Sequence, residues 1–269
     1  MTVPLITLLT DFGLTDVYVG VMKGVIAQIN PALTVVDLTH AIAPQDIALA
    51  RFHLTNAYPY FPTHTIHVVV VDPGVGSHRQ AIACQTEFGT FVAPDNGVLT
   101  DVLDQAKSVQ AVELTHPQYW RTSTPSHTFH GRDIFAPVAA HLASGISFTE
   151  VGRRVEAQAL VRLLRSPPQY LDTAMEGTIQ AIDRFGNLIT NISAATLPET
   201  WTVKIGDYQV PCGRTYASVP PGQIVSLMGS HGWLEIAVNG GSAQDWLQRS
   251  LHLRAKDIIN HCSIALMTQ

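Results

Sequence analysis

The sequence predicts an α/β N-terminal domain followed by a small C-terminal β-barrel or sandwich domain. Three observations carry this expectation. Valine-rich runs alternate with segments of helical spacing over residues 1–165, the pattern of a mainly parallel sheet with helices on both faces. Ser166-Pro167-Pro168 then breaks the pattern, and residues 166–172 read as a linker. From 173 to 269 the apolar runs shorten, and Gly, Pro and Asn part them at barrel-like intervals.

The elements follow in order. "LITLLT" (5–10) is a short apolar strand, and "DFG" turns out of it. Residues 15–30 place apolar side chains at helical spacing, with Thr15 or Asp16 to cap the start and Asn30-Pro31 to end it. "LTVVDLT" (33–39) is a second strand, 46–58 a second helix and "IHVVVVD" (66–72) a third strand. "AIACQT" and "TFVAPD" pair as a hairpin, 96–106 is helical, 109–114 is a strand, and 132–145 is a helix ending at Gly145. In the second domain "MEGTIQAID", "NLITNIS", "TWTVKIG", "YQVPCG", "QIVSLMG" and "WLEIAVN" are strands, closed by "AQDWLQRSLHLR".

Composition narrows the function classes. Of 269 residues, 46% are hydrophobic and 14% charged, so a large core is expected rather than disorder. A net charge of −5 lacks the basic footprint of a nucleic-acid binder. Cys84, Cys212 and Cys262 lie far apart with no CxxC, which suits buried thiols in a reducing cytosol better than disulfides or zinc. The start lacks a basic n-region, and no apolar window reaches the length of a membrane span. The expected location is cytoplasmic, with no membrane partner.

The run "HVVVVDPGVGSHR" (67–79) poses the functional question. A carboxylate at the mouth of a buried strand costs free energy unless something pairs with it. In open α/β sheets, ligands bind beyond the carboxyl ends of the strands. Asp11 and Asp72 end strands, Asp37 lies near the end of another, and Asp95 follows "FVAP". They suit a site for hydroxyls or a cation; each is equally a turn-forming aspartate. "SHTFHGRDIFAP" puts His127, His130, Arg132 and Asp133 before an apolar helix. Asp133 reads as its N-cap, and His130 as either a solvated loop residue or a ring that orients water. A hairpin at Phe185-Gly186-Asn187 is either a plain turn or a purine clamp of ring and amide. The glycine-lined turn at Ser230 is either a hairpin or a seat for a carboxylate. "TDFG" lacks the other kinase motifs, and no P-loop or GxGxxG is present.

Six segments in register over nearly the whole chain carry a family resemblance: "TDFG", "VVDPGVGS.R", "APDNG", "FHGRDIFAP", "DRFGN" and "GS.GWLEIAVN". The sequence resembles the S-adenosyl-L-methionine (SAM) hydroxide adenosyltransferases, which are related to fluorinase and chlorinase. The resemblance implies water or hydroxide attack at C5′ of SAM, yielding adenosine and L-methionine, with SAM as substrate and no cofactor or metal. It also implies a homotrimer with sites between subunits. It assigns catalysis to Asp72, Arg79 and His130, with Asp72 holding the water, Arg79 pairing with Asp72, and His130 completing the water's hydrogen bonds or taking its proton. It puts Asp11 on the ribose hydroxyls and Asp183 on the methionine ammonium. Phe185 and Asn187 would hold adenine, with backbone near Val238 and Gly240, and Glu235 beside it. Ser230 and the adjacent amides would meet the methionine carboxylate or the nearby ribose, where His231 stands in place of fluorinase's arginine.

Three departures separate the chain from halogenases in this comparison. Asp72 replaces their tyrosine, Gly131 replaces fluorinase's pocket serine, and Gln45 stands where fluorinase has a tryptophan. A desolvated halide beside a carboxylate is repelled; water is not. Other readings are a SAM-dependent halogenase, a non-catalytic adenosine- or SAM-binding protein, and a metal-dependent hydrolase using Asp11, Asp72, His130 and Asp133.

Overall fold

The computed structural model describes residues 5–171, 174–251 and 264–268. The chain divides into two compact units, Met1–Leu164 and Arg165–Gln269. Asp172 of the expected linker, the start of the chain, the 252–254 end of the closing segment and Cys262 fall outside the described residues.

The first unit is built on β1 (Leu5–Thr10), α1 (Tyr18–Ile29), β2 (Thr34–Thr39), α2 (Ile47–Ala57), β3 (Ile66–Val70), β4 (Ala81–Thr86), β5 (Gly89–Pro94), α3 (Thr100–Gln105), β6 (Gln110–Glu113), α4 (Ala136–Ala143) and β7 (Arg153–Val155). The strands form one seven-stranded sheet in the order β2-β1-β3-β5-β4-β6-β7. From β2 to β5 the neighbours run parallel; from β5 to β7 they run antiparallel. The sheet is therefore mixed, because the β4–β5 hairpin reverses the chain. Isoleucine, leucine and valine dominate β1 and β3; β3 is buried throughout and β1 from Ile6 onward, as central strands must be. On one face α1 and α4 pack Met22, Ile26, Val138 and Ala139 against Ile6, Leu8, Val68 and Val70. On the other, α2 and α3 pack Ala50, Leu54, Val102 and Leu103 against Leu9, Val69, Val71 and Phe91. A buried Leu or Val is worth about 1.5–3 kcal/mol, so these two faces dominate the stability of the unit.

The structure departs from expectation at the start of α1, over 96–106 and at Asp133. α1 begins after Val17 with no side-chain cap, so neither Thr15 nor Asp16 caps it; residues 11–17 form a series of bends before the helix starts. The helix expected over 96–106 is only Thr100–Gln105. Asn96 is spent elsewhere, donating to the Val71 carbonyl at 2.9 Å and accepting from Val98 N–H, and Gly97 sits at φ +92°. Asp133 is not an N-cap. It lies fully buried inside a π-helical turn, Gly131–Phe135, that precedes α4.

The second unit holds β8 (Gln169–Tyr170), β9 (Ala174–Gly177), β10 (Ile179–Ile182), β11 (Leu188–Ser193), β12 (Trp201–Ile205), β13 (Tyr208–Pro211), β14 (Ile224–Met228), β15 (Trp233–Val238), α5 (Ala243–Leu251) and β16 (Ile264–Thr268). They make two small sheets of antiparallel neighbours, β10-β11-β15-β14 and β13-β12-β16-β9-β8. Between them lies a core of Leu188, Ile192, Val203, Ile205, Leu234 and Ile236. This is the small β domain expected from the sequence. β16 was not expected; its partners β12 and β9 are remote in sequence, so no local pattern announces it.

Candidate active site

The strand order places the site in the first unit. β1 leads through α1 to β2 on one side, and α2 then crosses back to β3 on the other side of β1. The switch point therefore falls between β1 and β3, where parallel α/β sheets open a crevice at the strands' carboxyl ends. Thr10 pairs with Val70 in register, so Asp11 and Asp72 both leave this edge, one and two residues beyond the paired positions.

Asp72 is tied down by Arg79, which returns to it through the Pro73-Gly74-Val75-Gly76 bend. Arg79 Nε donates to Asp72 Oδ1 at 2.9 Å and Oδ2 at 3.0 Å, and Nη2 donates to Oδ2. Both side chains are largely buried, at 5% exposed for Asp72 and 10% for Arg79. Such a pair is costly to break, because removing one member leaves a buried charge alone. The guanidinium also lies 5.4 Å from the centroid of Phe135.

The same Nη2 stands 2.8 Å from His130 Nδ1. An arginine has only donors, so Nδ1 must be the acceptor and carry no proton. His130 is then the neutral tautomer with its hydrogen on Nε2. Burial first, and the adjacent Arg79 cation second, hold the imidazole below its usual range. In this arrangement His130 offers a donor N–H, not a base, to whatever lies beside Nε2. The expectation that the ring takes a proton therefore does not fit this tautomer.

Two local features bring the three side chains together. Gly76, at φ +75°, lies against the loop before His130: a Cβ there would sit 2.2 Å from the His127 carbonyl. Only glycine permits that approach. On the other side, Asp133 anchors the π-turn. It accepts from Arg121 Nε at 2.5 Å, from Arg132 Nε and Nη2 at 2.7 Å each, and from Ser126 N–H at 2.9 Å. Burial opposes the charge, but the two guanidiniums and the amide hold Asp133 far below the usual carboxylate range. π-turns of this kind often mark functional sites.

Asp11 Oδ2 accepts from Gln45 N–H at 2.8 Å. Gln45 has φ +68°, the left-handed region, alone among the described non-glycine residues. Gly131 is buried, and a Cβ built on it would lie 3.2 Å from both Met22 Sδ and Phe129 Cε2, so a serine there would crowd an apolar wall. Among the described residues no three His, Cys, Asp or Glu side chains converge as a metal site. Asp72 and Asp133, two of the ligands a metal reading would need, are instead bound by arginines.

The remaining expected residues lie in the second unit. Asp183 opens the β10–β11 hairpin. Its Oδ1 accepts from Phe185 N–H at 2.9 Å and Asn187 N–H at 2.8 Å, and Oδ2 accepts from Asn187 Nδ2 at 2.9 Å. Asp183 and Asn187 thus hold each other, in a turn that leaves Phe185 77% exposed. Glu235 is buried in β15; Oε1 accepts from the Tyr216 hydroxyl at 2.9 Å, and His231 Nε2 stands 3.1 Å from Oε2. Tyr216 was missed by the sequence reading, since a lone tyrosine in a polar loop carries no motif. Burial first, then Glu235, pushes its hydroxyl up to about 12. Trp233 N–H donates to His231 Nδ1, which leaves Nε2–H to face the glutamate. Ser230 is exposed in the turn closed by Gly232 N–H to Gly229 O. Val238 ends β15, and Gly240 follows at φ +69°.

Comparisons with known proteins agree with this architecture. The model of the SAM hydroxide adenosyltransferase N-terminal domain matches residues 6–152, and that of the C-terminal domain matches residues 177–256. A Thermus thermophilus protein named (R)-S-adenosyl-L-methionine hydrolase is 43% identical over 246 residues, covering 89% of this chain and 93% of that protein. The crystal structure of an uncharacterized conserved protein from Thermotoga maritima matches with a TM-score of 0.87 at 35% identity, over 98% of this chain and all of that one. The Nocardia brasiliensis fluorinase is more distant, 27% identical over 89% of this chain and 91% of its own length. The chain belongs to the SAM hydroxide adenosyltransferase family.

Proposed function

We propose that this protein is an enzyme that hydrolyses SAM to adenosine and L-methionine. A water molecule attacks C5′ of the ribose, the C5′–S bond breaks with its electron pair going to sulfur, and one water proton is released. The sulfonium is already an activated leaving group, so no acid is needed at sulfur. Catalysis rests on holding water in line behind C5′, which can lower a barrier by about 7–11 kcal/mol in favourable cases.

The observation that carries this reading is the Asp72–Arg79–His130 chain. Water accepts from His130 Nε2–H and donates to Asp72, which aims an oxygen lone pair at carbon. The proton lost on attack passes to Asp72 and then to solvent. Arg79 fixes both partners, one through its pair of bonds and the other by setting the tautomer. Asp11 takes the ribose hydroxyls, with Gln45 N–H holding its second oxygen. Phe185 stacks on adenine, with the backbone at Val238 and Gly240 along its edge. Asn187 and Asp183 receive the adenine and methionine amines as a bonded pair. Ser230 meets the methionine carboxylate, and Glu235 stands beside adenine, held in place by Tyr216 and His231. The protein works as a cytoplasmic homotrimer and needs no metal or cofactor. Among the described residues no helix is long and apolar enough to cross a membrane.

Incubation with SAM should release adenosine and methionine in equal amounts, read by chromatography. Binding of SAM without either product would leave only a capture role; a halogenated nucleoside in the presence of chloride would make the chain a halogenase.

A further inference from the structure

A second chain of polar side chains runs behind Asp11. Phe12 N–H donates to Thr10 Oγ1 at 3.2 Å. Thr10 Oγ1 also lies 2.8 Å from His40 Nδ1. His40 Nε2 stands 3.0 Å from Asp37 Oδ1 in an oblique contact, and Asp37 Oδ2 accepts from Lys23 Nζ at 2.6 Å. Burial opposes the charge on Asp37, but Lys23 and His40 hold its carboxyl below the usual range. The His40 carbonyl accepts from Gly13 N–H at 2.8 Å, so the same residue holds both ends of the Asp11–Gly13 bend.

The proton directions follow. A carboxylate has only acceptors, so the His40 ring proton lies on Nε2, facing Asp37 Oδ1. Nδ1 is then the acceptor, and the Thr10 hydroxyl hydrogen points to it. Hydroxyl, imidazole and carboxylate in series would suit a nucleophile, but Thr10 is fully buried and both its hydrogen and a lone pair are spent internally. The series instead ties α1, β2 and β1 to the backbone on either side of Asp11. A buried hydroxyl–imidazole pair fixes one geometry, and loss of either member leaves the other's polar group without its partner.

We propose that His40 is a positioning residue for Asp11: it orients Thr10 and Gly13 so that the carboxylate faces the two ribose hydroxyls. This rests on the assignment of Asp11 in the proposed function. The test is calorimetric binding of adenosine and of 2′,3′-dideoxyadenosine to the full chain and to His40→Phe, Thr10→Val and His40→Asn. The native chain should favour adenosine by about tenfold or more, as expected for hydrogen bonds to a charged group. His40→Phe and Thr10→Val should lose about tenfold on adenosine and little on the dideoxy analogue. His40→Asn places an acceptor oxygen near the Nδ1 position and should recover most of the loss. Folded variants that keep the full preference, or that lose both nucleosides equally, overturn the inference. If thermal melting shows that His40→Phe does not fold, Thr10→Val decides alone, since it deletes one hydroxyl at nearly constant volume. A native chain with no preference removes the Asp11 assignment, and the inference with it, while SAM turnover is judged separately by its products.

Discussion

Arg79 decides what Asp72 and His130 can do. Its Nη2 reaches both, so the imidazole is locked as an acceptor on one side and a donor on the other. Protonation of Nδ1 would expel the guanidinium, and burial with the Arg79 charge depresses that protonation. Activity should therefore be flat through neutral pH and fall on the acid side, as pH drops through a value below the ordinary imidazole one near 6.5. The kcat/KM profile reports this limb; a limb above 6.5 would contradict the tautomer. Asp72→Ala and His130→Ala should each lower kcat by about 10²-fold or more while weakening SAM binding much less, as steady-state kinetics and calorimetry can separate. Equal losses in both would assign the pair to binding alone. Of these residues, Asp72 and Arg79 were legible from a charged loop ending a buried valine strand. The tautomer of His130 was not, because it depends on which atom of Arg79 arrives. Nor was the mutual bonding of Asp183 and Asn187: the sequence shows both amide and carboxylate, but not that Asn187 Nδ2 donates to Asp183 Oδ2.

Loops rather than strands set the geometry at the next scale. The sequence showed the strand and helix order because apolar periodicity reflects burial directly. It misjudged starts and ends where side chains serve something else: Asn96 props the end of β3, and Asp133 is enclosed by arginines. The Gly76 contact brings the Arg79 loop to the His130 loop. Gly76→Ala should cost about 1–3 kcal/mol in stability and lower kcat further, read by denaturant melts and turnover. An unchanged kcat would mean that the approach does not matter to the site. His67 offers a second test. It is buried in β3, bonded to Thr7 through Nδ1 and stacked on Phe91 at 4.9 Å, and burial lowers its pKa to about 4. The unfolded chain takes up this proton near pH 6.5 and the folded chain only near 4, so the unfolded state binds more protons in that window. Stability should be complete above it and fall as pH drops through it, by at most about 3 kcal/mol. Chemical denaturation from pH 7 to 4 should show this loss, and His67→Leu should flatten it.

At the scale of the whole molecule, the central sheet supplies groups that can steer water, and the β unit supplies an exposed ring with a bonded amide–carboxylate pair. The proposed homotrimer predicts a solution mass of about three times 29.2 kDa by light scattering; a mass near that of one chain would remove sites shared between subunits. The proposed reaction requires solvent to be the nucleophile at C5′. Turnover of SAM in oxygen-18 water, followed by mass spectrometry of adenosine, tests that most directly. The label should appear in the 5′-hydroxyl of every adenosine formed. Adenosine released without it would contradict the account.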